Sequence, residues 1–505
     1  MDPLGVASTE VDSGHSRRAT KGMTDRSAPG RQAREASRDS AVRRSSVSHG
    51  AATVADATLD EDATGPIPLR LLPENSEIAE NGHLRIGGCD VIDLAREYGT
   101  PLFIYDEAHL RSRCQDAVSA FGRGTAYAGK AFLCSAMARL AILEGLDIDV
   151  CSLGELETVF RAFRNDAPVD LAQRIVMHGN NKSDEELTEA RRKGVGRIVV
   201  DSFDELDRLE RLHRDDGEAP RVLLRVTPGV QPETHKFIST GQVDSKFGFG
   251  ISGGVATEAV RRAASSTSVE LIGIHCHIGS QLLDIDKMLE ALDAVAEFAA
   301  PLFGSGGIAD GCLEEMSIGG GLGVAYVESQ SAPTIAAWGK TLNARWDVLK
   351  ERYGLGARLV AEPGRAIAAQ AAITVYEVGS IKRVPSGPTY VAVDGGFSDN
   401  LRPMLYGGNY TAFMPARATA PRPDEVSLVG RYCESGDVIV PSAQVPNELT
   451  VGDFVATPVT GAYGYSMGAP YHRVGRPAVV FAANGDARRV IRREKVKDML
   501  ALDVL

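Results

Sequence analysis

The chain has 505 residues, 43% of them hydrophobic, enough for two sizeable cores, since one core seldom grows past about 250–300 residues. Lys and Arg number 55 against 67 Asp and Glu; the net charge of -12 argues against a broad nucleic-acid or anionic-membrane surface and makes any cationic function local. Seven cysteines form no CxxC pair and no zinc-spaced cluster, no apolar run reaches the roughly 18–20 residues that cross a bilayer, and no secretory signal opens the chain, so a reduced cytoplasmic protein is expected.

Residues 1–62 are rich in Ser, Arg, Thr, Ala and Asp and almost without large apolar side chains, so they cannot bury enough surface to offset their ordering entropy, and a disordered tail is expected. Asp2, Glu10, Asp12 and Asp25 fit poorly with an organelle transit peptide. Residues 63–105 are expected to join a later β domain, with 84–103 extended. From about residue 106 to 368, short β-branched runs alternate with amphipathic stretches of helical period. The runs are 125–130, 148–152, 174–179, 197–202, 221–228, 271–278, 315–320 and 358–362, with helices such as 135–144, 155–163, 184–193, 204–213, 286–303 and 341–353 between them. Eight such units predict a closed (β/α)8 barrel of TIM type. An open doubly wound sheet would need a glycine fingerprint after its first strand, where Ala128-Gly129-Lys130-Ala131 stands instead. Residues 369–505 carry short strands (373–376, 390–393, 437–440, 454–458 and 479–482) among Gly, Pro and Asn, which reads as a C-terminal all-β domain.

Residues able to do chemistry lie at the ends of nearly all the barrel strands, as on a barrel's C-terminal face. Lys130 ends the first strand among Tyr127, Ala128, Ala131 and Phe132; such neighbours strip hydration from an ammonium, lowering its pKa and freeing the amine for Schiff-base formation, whereas the bland alternative is a snorkelling surface lysine. His275 and His277 share a face at the end of the sixth strand; with no third ligand nearby, stacking or proton relay is favoured over metal binding, against a satisfied core histidine. Gly319, Gly320 and Gly321 follow the seventh strand, where such barrels place phosphates and where backbone N–H groups can approach one, although a tight turn would use the same residues. Glu362 and Arg365 share the rim of the eighth strand, either as a strand-end ion pair or, with a pyridine cofactor across the mouth, as the acid that keeps its ring nitrogen protonated. Cys433, Glu434 and Asp437, Arg402 and Tyr406, and Tyr463 and Tyr465 together suggest a second wall that recognises a multiply charged substrate.

In chain order, the motifs around Tyr127 to Phe132, His178 to Ser183, His275 to Gln281, Gly319 to Gly323, Glu362 to Arg365, Asp394 to Asn400, Cys433 to Asp437 and Gly461 to Met467 resemble diaminopimelate decarboxylases, over about residues 84–500. The resemblance implies pyridoxal 5'-phosphate as cofactor and conversion of meso-2,6-diaminopimelate to L-lysine and CO2. It implies that Lys130 carries the cofactor, that His277 stacks on its ring and that Glu362 pairs with the ring nitrogen. Ser280, Gly321 and the region of Gly364 would hold the phosphate, Gly319, Gly320 and Arg365 would also bind the cofactor, and Tyr463 would lie near cofactor and substrate. Arg365, Arg402, Tyr406 and Glu434 match substrate-binding positions and Cys433 the proton donor; Cys433 and Glu434 reach into a partner's site in the family, implying a homodimer with shared active sites. Leu153, Ser317 and the stretch from Gly468 to Arg473 depart from the family pattern without removing a catalytic group. The rivals are a related decarboxylase acting on ornithine, arginine or carboxynorspermidine, an alanine-racemase-like enzyme, which would carry arginine at the ring nitrogen, and a non-catalytic regulatory homologue.

Overall fold

The computed structural model describes residues 64–216, 219–230 and 245–504; the expected tail at 1–62 lies outside the described residues. Eight parallel strands run Ala126–Ala128, Asp147–Val150, Ile175–Met177, Arg197–Val200, Arg221–Thr227, Glu270–Cys276, Glu315–Ser317 and Arg358–Val360, each paired with the next. Ring closure comes from the backbone: Ala126 N–H donates to the Ala361 carbonyl at 3.0 Å and Ala128 N–H to that of Pro363 at 3.1 Å. Ala126, Val176, Val199, Leu223 and Ile272 fill the interior, so the barrel is a packed core rather than a pore. At its N-terminal mouth Arg197 is buried between Asp147 and Glu315.

The outer helices begin where side chains satisfy their first N–H groups. Ser152 accepts from Glu155 N–H ahead of Leu153–Ala162, Ser183 and Glu186 form a reciprocal pair ahead of Asp184–Arg192, and Thr334 caps Ile335–Tyr353.

The expectation of an extended stretch at 84–103 needs correction. Leu84–Ile86 and Cys89–Asp90 belong to a small antiparallel sheet with Ser76–Ile78, and Val91–Tyr98 is a helix capped by Asp90 that buries Val91, Leu94 and Ala95 on one face. Only Leu102–Asp106 enters the large second sheet, between Ala372–Arg383 and Ala478–Ala483. The twelve-residue strand Ala372–Arg383 organises that sheet, pairing also with Thr389–Val393 and Phe454–Pro458. Two strands that the sequence reading did not pick out, Asp424–Val429 and Asp486–Ile491, complete it.

One loop of this sheet is fastened to the barrel rim: Tyr463 N–H and the Ser466 hydroxyl both donate to the Ala131 carbonyl, at 2.8 and 2.9 Å. Tyr463 is thereby fixed beside the turn that carries Lys130. No helix among the described residues is long and apolar enough to cross a membrane.

Candidate active site

The C-terminal mouth of the barrel opens into a cavity of about 370 Å³. Of the residues expected at a site, Lys130, His277, Ser280, Gly320, Gly321, Glu362, Gly364, Arg365 and Tyr463 line it, drawn from both sheets. Gly319 lies just behind the wall, its carbonyl accepting from Glu362 N–H at 2.8 Å and its own N–H donating to the Ser317 hydroxyl at 3.2 Å.

Lys130 occupies a single turn after the first strand, and its side chain, 46% exposed, opens into the cavity. The expected low pKa is a correction. Burial does push the ammonium down, but Asp149, with Tyr463, Cys151 and Glu362, outweighs it and raises the pKa above the ordinary lysine value. Asp149 is fully buried with one carboxylate oxygen 3.9 Å from Lys130 Nζ, and that oxygen has no hydrogen-bond partner. An acid in the middle of the apolar run 148–152 was the available signal. Burial and the same acid push the Cys151 thiol up, so it stays protonated.

Opposite stands Glu362, buried and contacted at both oxygens. Ser317 donates its hydroxyl to Oε1 at 3.0 Å, while Oε2 meets His275 Nε2 at 3.1 Å and His178 Nε2 at 3.4 Å. Burial alone would raise the Glu362 pKa; the two imidazoles hold it well below the usual carboxylate range, so it is an anion. Burial keeps His275 low and, with Lys130 and Arg225, depresses His277 strongly, leaving His277 a neutral ring suited to stacking. His178, His275 and Glu362 lie close enough to hold a metal ion; His275 hydrogen-bonds to the carboxylate, and His178 stands in charge contact with it. Sequence reading passed over Ser317 as an anchor of Glu362; its place two residues before Gly319 at a strand end was the only pointer.

The glycine run is dictated by contact as well as by conformation. Gly321 sits at φ +113°, and a Cβ there would come within 2.4 Å of the Gly279 carbonyl oxygen. Gly320 and Gly321 therefore bring bare backbone to the cavity wall where a side chain at Gly321 would not fit.

Besides Gly319, four expected residues do not line the cavity. Arg402, buried, donates to the Tyr410 hydroxyl at 2.6 Å; Tyr406 ends the short helix Arg402–Tyr406; Cys433 and Glu434 are exposed, Glu434 accepting from the Tyr471 hydroxyl.

Residues 107–369 match the family described as pyridoxal-dependent decarboxylase, pyridoxal binding domain. The diaminopimelate decarboxylase of Mycobacterium tuberculosis strain H37Rv is 44% identical over 440 residues, covering 86% of this chain and 97% of that protein. That of Bacillus subtilis strain 168 is 42% identical, covering 84% and 96%. Among solved structures, diaminopimelate decarboxylase from M. jannaschii superposes with a TM-score of 0.77 at 31% identity, covering 85% of this chain and 98% of that one, and the Helicobacter pylori enzyme complexed with L-lysine gives 0.72 at 30%, covering 82% and 99%. A lysine/ornithine decarboxylase from Vibrio vulnificus, at 22% identity and a TM-score of 0.65, shares the fold. Likeness sustained over nearly the full length of such relatives settles the family: the chain belongs to the diaminopimelate decarboxylases, within the pyridoxal-dependent decarboxylases.

Proposed function

We infer that this chain catalyses the pyridoxal-phosphate-dependent decarboxylation of meso-2,6-diaminopimelate, giving L-lysine and CO2. The observation that carries the reading is one cavity presenting the Lys130 amine, a buried Glu362 anion and a glycine-lined rim together.

The residues fit the cofactor. Arg365 Nε and one Asp149 oxygen are buried without hydrogen-bond partners, and close backbone at Gly321 suits a phosphate. Lys130 would hold the aldehyde, Glu362 the ring nitrogen and His277 the ring face, with Ser280, Gly319, Gly320, Gly321, Gly364 and Arg365 at the phosphate. When bound, the pyridine ring accepts the electron pair left as CO2 departs.

The chain's own residues prepare that step. Asp149 keeps Lys130 charged until a proton is passed on, and Tyr463 closes the wall above it. Ser317 and His275 hold the Glu362 carboxylate in one orientation, so no reorganisation is required when charge develops. Arg402, with Arg365 and Tyr406, would receive the substrate's second carboxylate; a substrate lacking it would leave a buried guanidinium unpaired, which favours diaminopimelate over ornithine. Glu434 would take the distal ammonium, and Cys433 would protonate the carbon that lost its carboxylate.

Cys433 and Glu434 are exposed and off the cavity wall, which supports a homodimer in which each subunit lends them to its partner. A barrel of residues 106–368 and a β domain of 369–505 would then form the two walls of each site. All seven cysteines are unpaired, which favours a reducing, cytoplasmic setting. The deciding experiment is CO2 release from meso-diaminopimelate with added pyridoxal phosphate: Lys130→Ala loses nearly all activity and the cofactor's bound absorbance, and equal rates in variant and wild type would overturn the assignment.

A further inference from the structure

The loop that follows the glycine run carries Tyr326, 3% exposed, into contact with two buried guanidiniums at once. Its hydroxyl accepts from Arg365 Nη1 at 2.5 Å, and its ring face lies 4.0 Å from Arg402 Cζ. Arg365 donates further to the Ser280 hydroxyl at 2.9 Å, and Arg402 to the hydroxyl of Tyr410, whose ring meets that of Tyr326 edge-on at 5.2 Å. Among the described residues the hydrogen-bond acceptors of both cations are neutral hydroxyls, not carboxylates. A buried guanidinium held only by neutral groups is costly unless an anion completes it.

Tyr326 is itself held firmly. Gln281, next to Ser280, clamps the loop through both its amide atoms, accepting from Val324 N–H at 3.2 Å and donating to the Val324 carbonyl at 2.6 Å. Two residues beyond Tyr326, Glu328 forms a buried ion pair with Arg422 at 2.9 Å. The phenol is therefore a fixed post shared by two buried cations, each of which has one further hydroxyl partner, Ser280 for Arg365 and Tyr410 for Arg402.

We propose that Tyr326 is a positioning residue that presets Arg365 and Arg402 through different parts of one side chain, the hydroxyl serving the cofactor's phosphate anchor and the ring face the anchor for the substrate's second carboxylate. The proposal rests on the functional reading above. Removing the hydroxyl alone takes one of two hydrogen-bond acceptors from Arg365 and leaves Arg402 stacked; removing the ring also takes the stacking face from Arg402. No general loss of packing produces that split.

The test uses full-length wild type, Tyr326→Phe and Tyr326→Leu. Apoenzyme is titrated with pyridoxal phosphate by equilibrium dialysis, and loaded enzyme is assayed with meso-diaminopimelate and with two competitors, L-lysine and cadaverine, which differ by one carboxylate. Tyr326→Phe weakens cofactor binding about ten-fold, the worth of one hydrogen bond to a charged group, and, through the share Arg365 takes in holding the second carboxylate, shifts KM and L-lysine inhibition by less than Tyr326→Leu does. Tyr326→Leu adds a roughly five- to thirty-fold loss in KM and in L-lysine inhibition, the range of a desolvated cation–π contact, with cadaverine inhibition and kcat little altered. Wild-type cofactor affinity in Tyr326→Phe, or equal losses for L-lysine and cadaverine in Tyr326→Leu, would overturn the proposal. Should Tyr326→Leu not fold, the Phe arm decides alone. Wild type that neither binds pyridoxal phosphate nor releases CO2 would instead overturn the functional reading.

Discussion

Gly319→Ala separates conformational strain from the cost of crowding the cofactor wall. Gly319 sits at φ +67°, where a residue bearing a Cβ loses about 1–2 kcal/mol. An added Cβ would lie 2.6 Å from the Cys276 carbonyl oxygen and 2.9 Å from His277 Cβ, so backbone or His277 must shift, at a further cost of about 1–3 kcal/mol. Gly354, at φ +66° past the end of Ile335–Tyr353, has nothing within 4 Å of the same position and serves as the control. Gly354→Ala should therefore lose about 1–2 kcal/mol and Gly319→Ala about 2–5 kcal/mol in equilibrium urea unfolding. Because the crowded neighbour is the ring assigned to stack on the cofactor, only Gly319→Ala should also weaken pyridoxal phosphate binding in dialysis. Equal unfolding losses, or unchanged cofactor affinity in Gly319→Ala, would refute the account of how the glycine run shapes the wall.

Glu362→Gln should fold normally, since the Ser317 hydroxyl can turn to accept, yet slow single-turnover CO2 release about 10- to 150-fold at saturating cofactor; a wild-type rate contradicts the role of the buried anion. Burial pushes the Asp399 carboxyl from 3.8 up to about 7, so the folded chain keeps a proton that the unfolded chain releases: the contribution is full below 3.8 and lost as pH rises through about 7, to a limit of about 4 kcal/mol. Asp399→Asn should accordingly flatten the fall in urea midpoint between about pH 4 and pH 7, and an unchanged fall would contradict the assignment. Lys130→Ala and Cys433→Ala, each nearly inactive, should regain about a quarter of wild-type activity when dissociated and mixed, because half the dimers then hold one intact shared site; no recovery argues that each subunit uses its own cysteine.

The alternation of apolar runs and helical stretches was enough to set out the barrel, because strands buried on both faces must be apolar throughout and their connecting helices must be amphipathic. All eight runs read from residues 125 to 362 overlap a barrel strand, and Lys130, the glycine run and Glu362 lie at the mouth because a strand-end position is local information. What tertiary structure alone decided was how distant charges meet. Apolar neighbours implied a lysine of low pKa, whereas Asp149, from the next strand across, raises it. Likewise Ser317, His178 and His275 converge on Glu362 from three separate strands or their ends, and Tyr326 gathers Arg365 and Arg402, 37 positions apart in sequence. Hydrophobic pattern fixes which face of an element is buried; Coulomb and hydrogen-bond energies depend on separations of a few ångströms that only the closed barrel and its packed second sheet determine.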